Sequence, residues 1–324
     1  MAHTRVGVID IGSNSTLLLV GARTEAGWQV LADQTRITRL GEGFSEAKQL
    51  QSDAVQRTMQ AIEAYLAECR ALGVTAVIGL ATAVVREARN PEQLLALLRK
   101  RFGFQQVEGF HEATARLQRS DAPTQLVCVL SEAEEATLSF RSVAQDAELG
   151  LGDAPVAVVD IGGGSVEVAY GHTEPAHWLS LPVGARRIRE TYMPSDPPEP
   201  REILHATRVL DEAFEPLQAL PQPERVVAIG GTGVNLAILA RELPAFDPTQ
   251  VHATWLTDET LGALLYRLLR LSDAERCALP GVEPDRAPLL HIGALILERA
   301  LFALRREAVQ VSIRGIRYGA LWSL

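Results

Sequence analysis

Cysteine is rare in this sequence. The 324 residues include three cysteines, Cys69, Cys128 and Cys277, which lie far apart along the chain. They form no Cys-x-x-Cys pair, and the seven histidines show no spacing typical of metal ligands. We therefore interpret the cysteines as small buried hydrophobic residues of a protein in a reducing compartment, and we expect neither a disulfide framework nor a Cys/His metal site.

Long apolar runs are also missing. No window approaches the roughly 18 consecutive apolar residues that a membrane-spanning helix needs. The first residues, Met1 to Arg5, lead directly into a predicted strand and have no apolar core of a signal peptide. The sequence predicts a cytoplasmic protein without a membrane partner.

Lysine occurs at only two positions, Lys48 and Lys100, and nearly all positive charge is arginine. The formal net charge is −9, which argues against a general nucleic-acid-binding protein because such proteins usually carry a strongly basic face. An anionic substrate is not excluded, since the local field in a cleft can oppose the global charge.

What is present indicates an α/β protein with two hydrophobic cores. Hydrophobic residues make up 47% of the chain and charged residues 22%, which is typical of a globular protein of this length. Apolar runs of strand length alternate with segments of helical periodicity, and Val107 to Phe110 is interpreted as a further short strand. A polar, turn-forming segment from Arg119 to Thr124 is the predicted linker, so the predicted domains are residues 1–124 and 125–324.

One short pattern occurs twice in the chain. Val8 to Ser15 and Val159 to Ser165 are each an apolar strand that ends in aspartate, followed by a Gly/Ser turn and a second apolar run. Each copy predicts a β-hairpin whose turn has the size of a phosphate group, because glycine lets backbone N–H groups approach an anion closely. A separation of about 150 residues matches one domain length, which predicts two similar domains that face each other across a cleft.

These turns supply the predicted phosphate-binding residues. A third strand, Arg225 to Ile229, also ends in a Gly-rich turn, which is expected to open a helix. The predicted phosphate ligands are Gly12, Ser13, Asn14 and Ser15 in the first loop, Gly162, Gly163, Gly164 and Ser165 in the second, and Gly230, Gly231, Thr232 and Gly233 in the third.

Taken in order, the motifs resemble those of the exopolyphosphatase and guanosine pentaphosphate phosphohydrolase family, within the actin, sugar kinase and chaperone ATPase superfamily. The resemblance spans nearly the whole chain, and its specificity lies in the ordered set. The motifs that carry it are Asp10 to Ser15, Leu40 to Gly43, Ala81 to Asn90, Ser131 to Ala136, Asp160 to Glu167, Leu279 to Gly281 with Arg286-Ala287, and Ser312 with Gly315 to Gly319.

The resemblance implies two ribonuclease-H-like domains with the active site in the cleft between them. It also implies hydrolysis of phosphoanhydride bonds with Mg²⁺, either at the end of inorganic polyphosphate or at the 5′-γ-phosphate of guanosine pentaphosphate. In the family, the glutamate before the closing alanine of the Glu-Glu-Ala motif activates the attacking water, and here that position is Glu135. The family also uses the pair that corresponds to Asp160 and Glu167 near the metal ion.

The chemistry of the residues is compatible with those roles. Glu134 and Glu135 are neighbours on a predicted helix and point about 100° apart, so at most one of them faces the water. Asp10 and Asp160 end strands beside the turns, where they can either ligate Mg²⁺ or cap their own turns. We predict Arg86 to be a phosphate-contacting cation of the catalytic machinery, with a surface salt bridge as its alternative.

The sequence departs from the family pattern at some positions. Glu132 follows Ser131 where the family usually has glycine, Pro288 replaces an acid, and Ile313-Arg314 stands where an acid and a glycine are common. A carboxylate at position 132 is unfavourable beside an anionic substrate. Longer relatives carry additional helical domains, so the processive handling of long polyphosphate is not predicted for these 324 residues.

Three functions remain open from the sequence. The first is an exopolyphosphatase of the short two-domain type with Glu135 as the base and Asp160, Glu167 and Asp10 as Mg²⁺ ligands. The second is a guanosine pentaphosphate phosphatase, which would link the protein to the stringent response. The third is a sensor that binds phosphate chains or nucleotides with little hydrolysis. A homodimer is compatible with the sequence, which does not determine the oligomeric state.

Overall fold

The computed structural model describes residues 4–25, 27–119 and 122–324, and at residues 45 and 46 only the backbone. Its strands are β1 Arg5–Ile11, β2 Ser15–Thr24, β3 Gly27–Ile37, β4 Ala76–Ala81, β5 Gln105–Val107, β6 Thr124–Val129, β7 Val156–Ile161, β8 Val166–Gly171, β9 Pro175–Leu181, β10 Arg225–Ile229, β11 Trp255–Thr257 and β12 Ala308–Val311. Its helices are α1 Phe44–Ala47, α2 Ser52–Ala71, α3 Ala83–Arg86, α4 Glu92–Phe102, α5 Gly109–Arg119, α6 Glu132–Ala144, α7 Ala185–Tyr192, α8 Pro200–Phe214, α9 Gly230–Ala240, α10 Pro248–Val251, α11 Asp258–Leu269, α12 Asp273–Cys277, α13 Ala287–Ala303 and α14 Ile316–Trp322. Short 3-10 helices cover Ala147–Leu149 and Glu215–Ala219.

The strands form two six-stranded mixed sheets of related topology. The first has the order β3-β2-β1-β4-β6-β5 and the second β9-β8-β7-β10-β12-β11. In each, an antiparallel meander is joined through its first strand to parallel strands that follow helical crossovers, and β11 adds an antiparallel edge to the second sheet. This is the ribonuclease-H-like arrangement, and it confirms the predicted α/β fold class.

Alternation along the strands places a core on each face of the first sheet. Ile9 and Ile11 of β1 pack with residues of α2 and α4, whereas Val6 and Val8 pack on the opposite side with residues of α5 and α14. All six residues of β4 are buried, as expected for a parallel strand that is covered on both faces. In the second sheet, the apolar helix α13 is the centre of the core.

The chain divides into two compact units, Met1–Leu138 with Ile316–Leu324, and Ser139–Gly315. β6 belongs to the first unit because it pairs in parallel with β4 over its whole length. The predicted domain limits, 1–124 and 125–324, remain a prediction, and these units differ from them at residues 125–138 and 316–324. The linker predicted from Arg119 to Thr124 falls partly outside the described residues, and its last residue begins β6.

The local sequence pattern predicted one element wrongly. A short strand was expected at Val107 to Phe110, but β5 ends at Val107 and α5 begins at Gly109. Gly109 has φ 75°, a left-handed conformation that ends an extended segment and that glycine adopts without steric cost. Among the described residues, no helix is long and apolar enough to cross a membrane.

Candidate functional site

The first Gly/Ser loop, residues 12–15, connects β1 to β2 in the first unit. The loop is closed by a hydrogen bond of 3.0 Å from the Gly12 amide to the Ser15 carbonyl. The segment after β3 packs on it, because the Gly41 amide donates to the Ser13 carbonyl at 2.8 Å and the Arg39 amide to the Asn14 carbonyl at 2.9 Å. A side chain at position 41 would place its Cβ 3.2 Å from the Ser13 Cβ. The Leu40 to Gly43 motif therefore supports the first Gly/Ser loop.

The second Gly/Ser loop, residues 162–165, repeats this geometry in the second unit. The Gly162 amide donates to the Ser165 carbonyl at 3.0 Å, the same closure as in the first loop. Here the supporting segment is the start of α7, where the amides of Ala185 and Arg186 donate to the carbonyls of Gly162 and Gly163 at 2.9 Å. The sequence repeat thus extends to the hydrogen bonds that shape the two turns.

Glu135 forms an ion pair with Arg86 in the first unit. Arg86 ends the short helix that follows β4, and its Nη1 lies 2.7 Å from Glu135 Oε2 and 2.9 Å from the Leu130 carbonyl oxygen. The side chains are 19% exposed for Glu135 and 23% for Arg86. Burial raises the pKa of Glu135 above its usual range, Arg86 counteracts this, and Glu132 and Glu87 add to the rise. The result is a constrained carboxylate that holds a proton more readily than a solvated glutamate.

Glu134 contacts different groups from Glu135, as their neighbouring places on a helix predict. Its carboxylate accepts hydrogen bonds from the Phe110 amide and from Ser131, and none of the described contacts joins it to Arg86.

An open cavity of about 320 Å³ lies beside these residues in the first unit, lined by Arg86, Glu108, Gly109, Val129, Leu130, Ser131 and Glu134. Sequence reasoning singled out Arg86 and Glu135 separately and missed their pairing, because 49 residues separate them.

Asp10 lies near the end of β1 with a buried carboxylate. Its Oδ1 has no hydrogen-bond partner among the residues that the structure describes. Burial raises the pKa of Asp10 to about 7, although Arg317 lowers it, and Glu135 adds to the rise. Negative charge on a buried carboxylate oxygen is costly when no group donates a hydrogen bond to it. A bound cation or a proton would therefore stabilise the Asp10 carboxylate.

Replacing Asp10 by asparagine should therefore stabilise the protein when metal is absent. The folded pKa is raised from 3.8 to about 7, so ionisation of Asp10 favours the unfolded state and its cost grows as pH rises between these values. In EDTA at pH 7.5, we expect Asp10→Asn to raise the free energy of unfolding by about 1–3 kcal/mol and the melting temperature by several degrees. At pH 5 both gains should be much smaller. Thermal denaturation at the two pH values measures this, and an equal gain at both would contradict it.

Asp160 and Glu167 are cross-strand partners at the tip of the second hairpin. Glu167 Oε1 accepts hydrogen bonds from the hydroxyls of Ser165 at 2.5 Å and Ser180 at 3.1 Å, which holds the carboxylate in place. A Cβ at position 230 would come within 2.7 Å of Asp160 Oδ1, so glycine leaves room beside this oxygen. Two carboxylates with such space fit Mg²⁺, which is commonly bound by one or two carboxylates, water and substrate phosphate. No three His, Cys, Asp or Glu side chains in the described part of the chain are grouped closely enough to hold a metal by themselves.

The third Gly-rich segment is the first turn of α9 rather than a loop before the helix. α9 begins at Gly230, which has φ 79°, and no side chain caps its first turn. The Arg286 guanidinium packs directly against Gly231, where a Cβ would collide with it, and Arg286 Nε donates to Glu283 Oε2 at 2.6 Å. Arg286 was absent from the predicted site residues, although its motif contributed to the resemblance. A helix N-terminus with an arginine beside it is a favourable environment for an anion.

Fold and local geometry together define a class of protein, one with two ribonuclease-H-like units that each carry an Asp-ended hairpin with a tight Gly/Ser turn. The model of the Ppx/GppA phosphatase family matches residues 19–324, and the chain belongs to this family.

Two relatives that are named as exopolyphosphatases align with nearly the full length of this chain. The chain is 32% identical to Exopolyphosphatase 2 of Mycobacterium tuberculosis over 95% of its own length and 93% of the relative. It is 31% identical to Exopolyphosphatase 1 of Mycobacterium bovis over 98% and 87%. The crystal structure of the Ppx/GppA family member from Aquifex aeolicus matches with a TM-score of 0.82 at 27% identity, covering 99% of this chain and 97% of that one.

Proposed function

We propose that the protein is an exopolyphosphatase that hydrolyses the terminal phosphoanhydride bond of inorganic polyphosphate with the help of a divalent cation. The observation that carries the mechanism is the Arg86–Glu135 ion pair, a constrained carboxylate of raised pKa in a chain similar over nearly its full length to exopolyphosphatases. Phosphoanhydride hydrolysis requires such a base, together with groups that neutralise the phosphate oxygens.

In the proposed reaction, Glu135 orients a water molecule and accepts its proton. The water oxygen bonds to the terminal phosphorus while the bond to the bridging oxygen breaks, which releases orthophosphate and a chain shorter by one phosphate. Arg86 directs Glu135, since its guanidinium also binds the Leu130 carbonyl and thereby ties the carboxylate to the chain just before α6. A raised pKa makes Glu135 a stronger base once it is deprotonated.

Phosphate oxygens are bound in this proposal by backbone amides of residues 12–15 and 162–165 and by the first turn of α9. Asp160 and Glu167 of the second unit would hold Mg²⁺, and Asp10 of the first unit stays a predicted ligand of a cation. Bound there, the ion would neutralise charge on the phosphate oxygens. Glu167 is already oriented by two hydroxyls, and glycine at position 230 keeps a side chain from colliding with Asp160 Oδ1.

Phosphate release from three substrates tests the proposal. Wild-type protein is incubated with Mg²⁺ and short polyphosphate, long polyphosphate or guanosine pentaphosphate, and orthophosphate is measured over time. We expect release from polyphosphate, with EDTA abolishing it. Release from guanosine pentaphosphate alone would identify a nucleotide phosphatase, and tight binding of any substrate without release would identify a sensor. Either result would overturn the proposed activity.

A further inference from the structure

Glu134 connects the beginnings of two helices. Its Oε2 accepts hydrogen bonds of 2.9 Å from both the amide and the hydroxyl of Ser131, while the Ser131 hydroxyl accepts from the Glu134 amide at 3.2 Å. This reciprocal pattern is a capping box at the start of α6. The other oxygen, Oε1, leaves the box and accepts from the Phe110 amide at 2.6 Å, at the start of α5. A single carboxylate therefore joins the first turns of α5 and α6.

Gly109 leaves the space that this contact requires. A Cβ at position 109 would lie 2.5 Å from Glu134 Oε1, and the residue has φ 75°. Both the space and the backbone conformation favour glycine there. The amide of Phe110 can thus approach the carboxylate, and it is one of the first amides of α5, which have no partner within their own helix.

The first turn of α6 is held from two directions. Arg86 binds the Leu130 carbonyl and the Glu135 carboxylate, and Glu134 binds Ser131 and the start of α5. Because Glu134 and Glu135 are consecutive, a rotation of the turn that breaks the Phe110 contact also moves Glu135 relative to Arg86.

We propose that Glu134 is a positioning residue for Glu135, and that it sets the direction of the water-activating carboxylate by fixing the first turn of α6 to α5. The inference rests on the proposed function. Glu134 does not touch phosphate or the attacking water in this role. It acts on the rate of the chemical step and leaves substrate binding unchanged.

The chain offers a matched control for the capping box. Ser272 and Glu275 form the same box at the start of α12, with 2.8 Å from both the Ser272 amide and hydroxyl to Glu275 Oε2. Among the described hydrogen bonds, the Glu275 carboxylate accepts none from a second helix, whereas the Glu134 carboxylate accepts one from the Phe110 amide of α5. Comparing Glu134→Ala with Glu275→Ala therefore separates the loss of a helix cap from the loss of the connection between α5 and α6.

We expect Glu134→Ala to lower kcat on polyphosphate by about 10- to 100-fold with KM changed less than about twofold, since small displacements of a reacting group have effects of this size. Glu275→Ala should leave kcat unchanged even if both variants lose similar thermal stability. Glu134→Gln, which keeps an oxygen for the Phe110 amide, should recover part of the rate and serves if the alanine variant does not fold. An unchanged kcat in folded Glu134→Ala, or a Glu134→Gln variant with no more activity than Glu134→Ala, would overturn the positioning role.

A second background tests whether Glu134 acts through Glu135. When Glu135→Ala is already present, adding Glu134→Ala should alter the residual rate by less than about twofold, because there is no carboxylate left to direct. A further loss as large as in the wild-type background would show that Glu134 acts independently and would contradict the inference. An inactive wild type would refute the proposed function itself, whereas an active wild type with a normal Glu134→Ala variant refutes only the positioning role.

Discussion

Replacing Glu135 by glutamine is expected to lower kcat on polyphosphate by about 100-fold or more, with little change in KM. Glutamine is nearly isosteric and its amide oxygen can still accept the hydrogen bond from Arg86, which lies 2.7 Å from the carboxylate. What it cannot do is accept the proton of the attacking water. The loss should therefore appear in the chemical step and not in folding or binding.

A matched control is Glu259→Gln, which changes an acidic residue in the first turn of α11 that contributes nothing to the proposed site. Phosphate release is measured under substrate saturation for wild type and both variants, with circular dichroism to verify folding. Glu259→Gln should have wild-type kcat. If Glu135→Gln retains more than about a tenth of the wild-type rate, another group activates the water and the mechanism is wrong.

The pH profile gives an independent check on Glu135. The base must be deprotonated, so kcat should fall as pH decreases through the pKa of Glu135, and this acid limb should lie above that of an ordinary glutamate because burial raises the pKa. Arg86 lowers the pKa, so Arg86→Met should move the limb to still higher pH in addition to reducing the rate. A limb that moves to lower pH would contradict the assigned ion pair.

Replacing Gly184 by alanine should displace the second Gly/Ser loop, with kcat/KM reduced by about 100-fold and a stability loss of about 1–3 kcal/mol or more. A Cβ at position 184 would lie 2.5 Å from the carbonyl carbons of both Gly163 and Gly164. These are backbone atoms, so no side-chain rotation relieves the collision. Gly184 has φ −67°, which any residue adopts, and the requirement for glycine is therefore one of space alone.

The control for Gly184→Ala is Gly262→Ala on α11, where an added Cβ meets no atom within 4 Å. Alanine favours a helix interior over glycine by up to about 1 kcal/mol, so this variant should be slightly stabilised and fully active. Phosphate release and thermal denaturation are compared for the two variants. Normal activity in Gly184→Ala would mean that residues 162–165 tolerate displacement and do not form a rigid phosphate site.

The hairpins are the part of the site that could be predicted from sequence. Each depends on an apolar strand, a terminal aspartate and a Gly/Ser turn within a few residues, and the register pairs Ile11 with Thr16 and Ile161 with Val166. Turn chemistry and strand alternation are local properties, so the residues of the two copies are sufficient to identify them as similar hairpins.

Other features of the fold depend on contacts between residues that are distant in the chain. The segment at Val107 to Phe110 has a strand-like composition, yet α5 begins at Gly109, where the Phe110 amide meets Glu134 from 24 residues further on. β6 pairs in parallel with β4 of the first unit, and the predicted domain limit at residue 124 stays a prediction. Local periodicity carries no information on either pairing.

Composition and short-range pattern were thus sufficient for the α/β class, the repeated hairpins, the phosphate-loop candidates and the family resemblance, because each is written in neighbouring residues. Tertiary structure alone decided that Arg86 faces Glu135, that Gly184 closes on the second loop, and that Glu134 joins α5 to α6. Those relations depend on which segments the sheet and helices bring together, and burial then sets the pKa of Glu135 and of Asp10. The distances between segments that are far apart in the chain, and the burial of their side chains, are set only when the chain has folded.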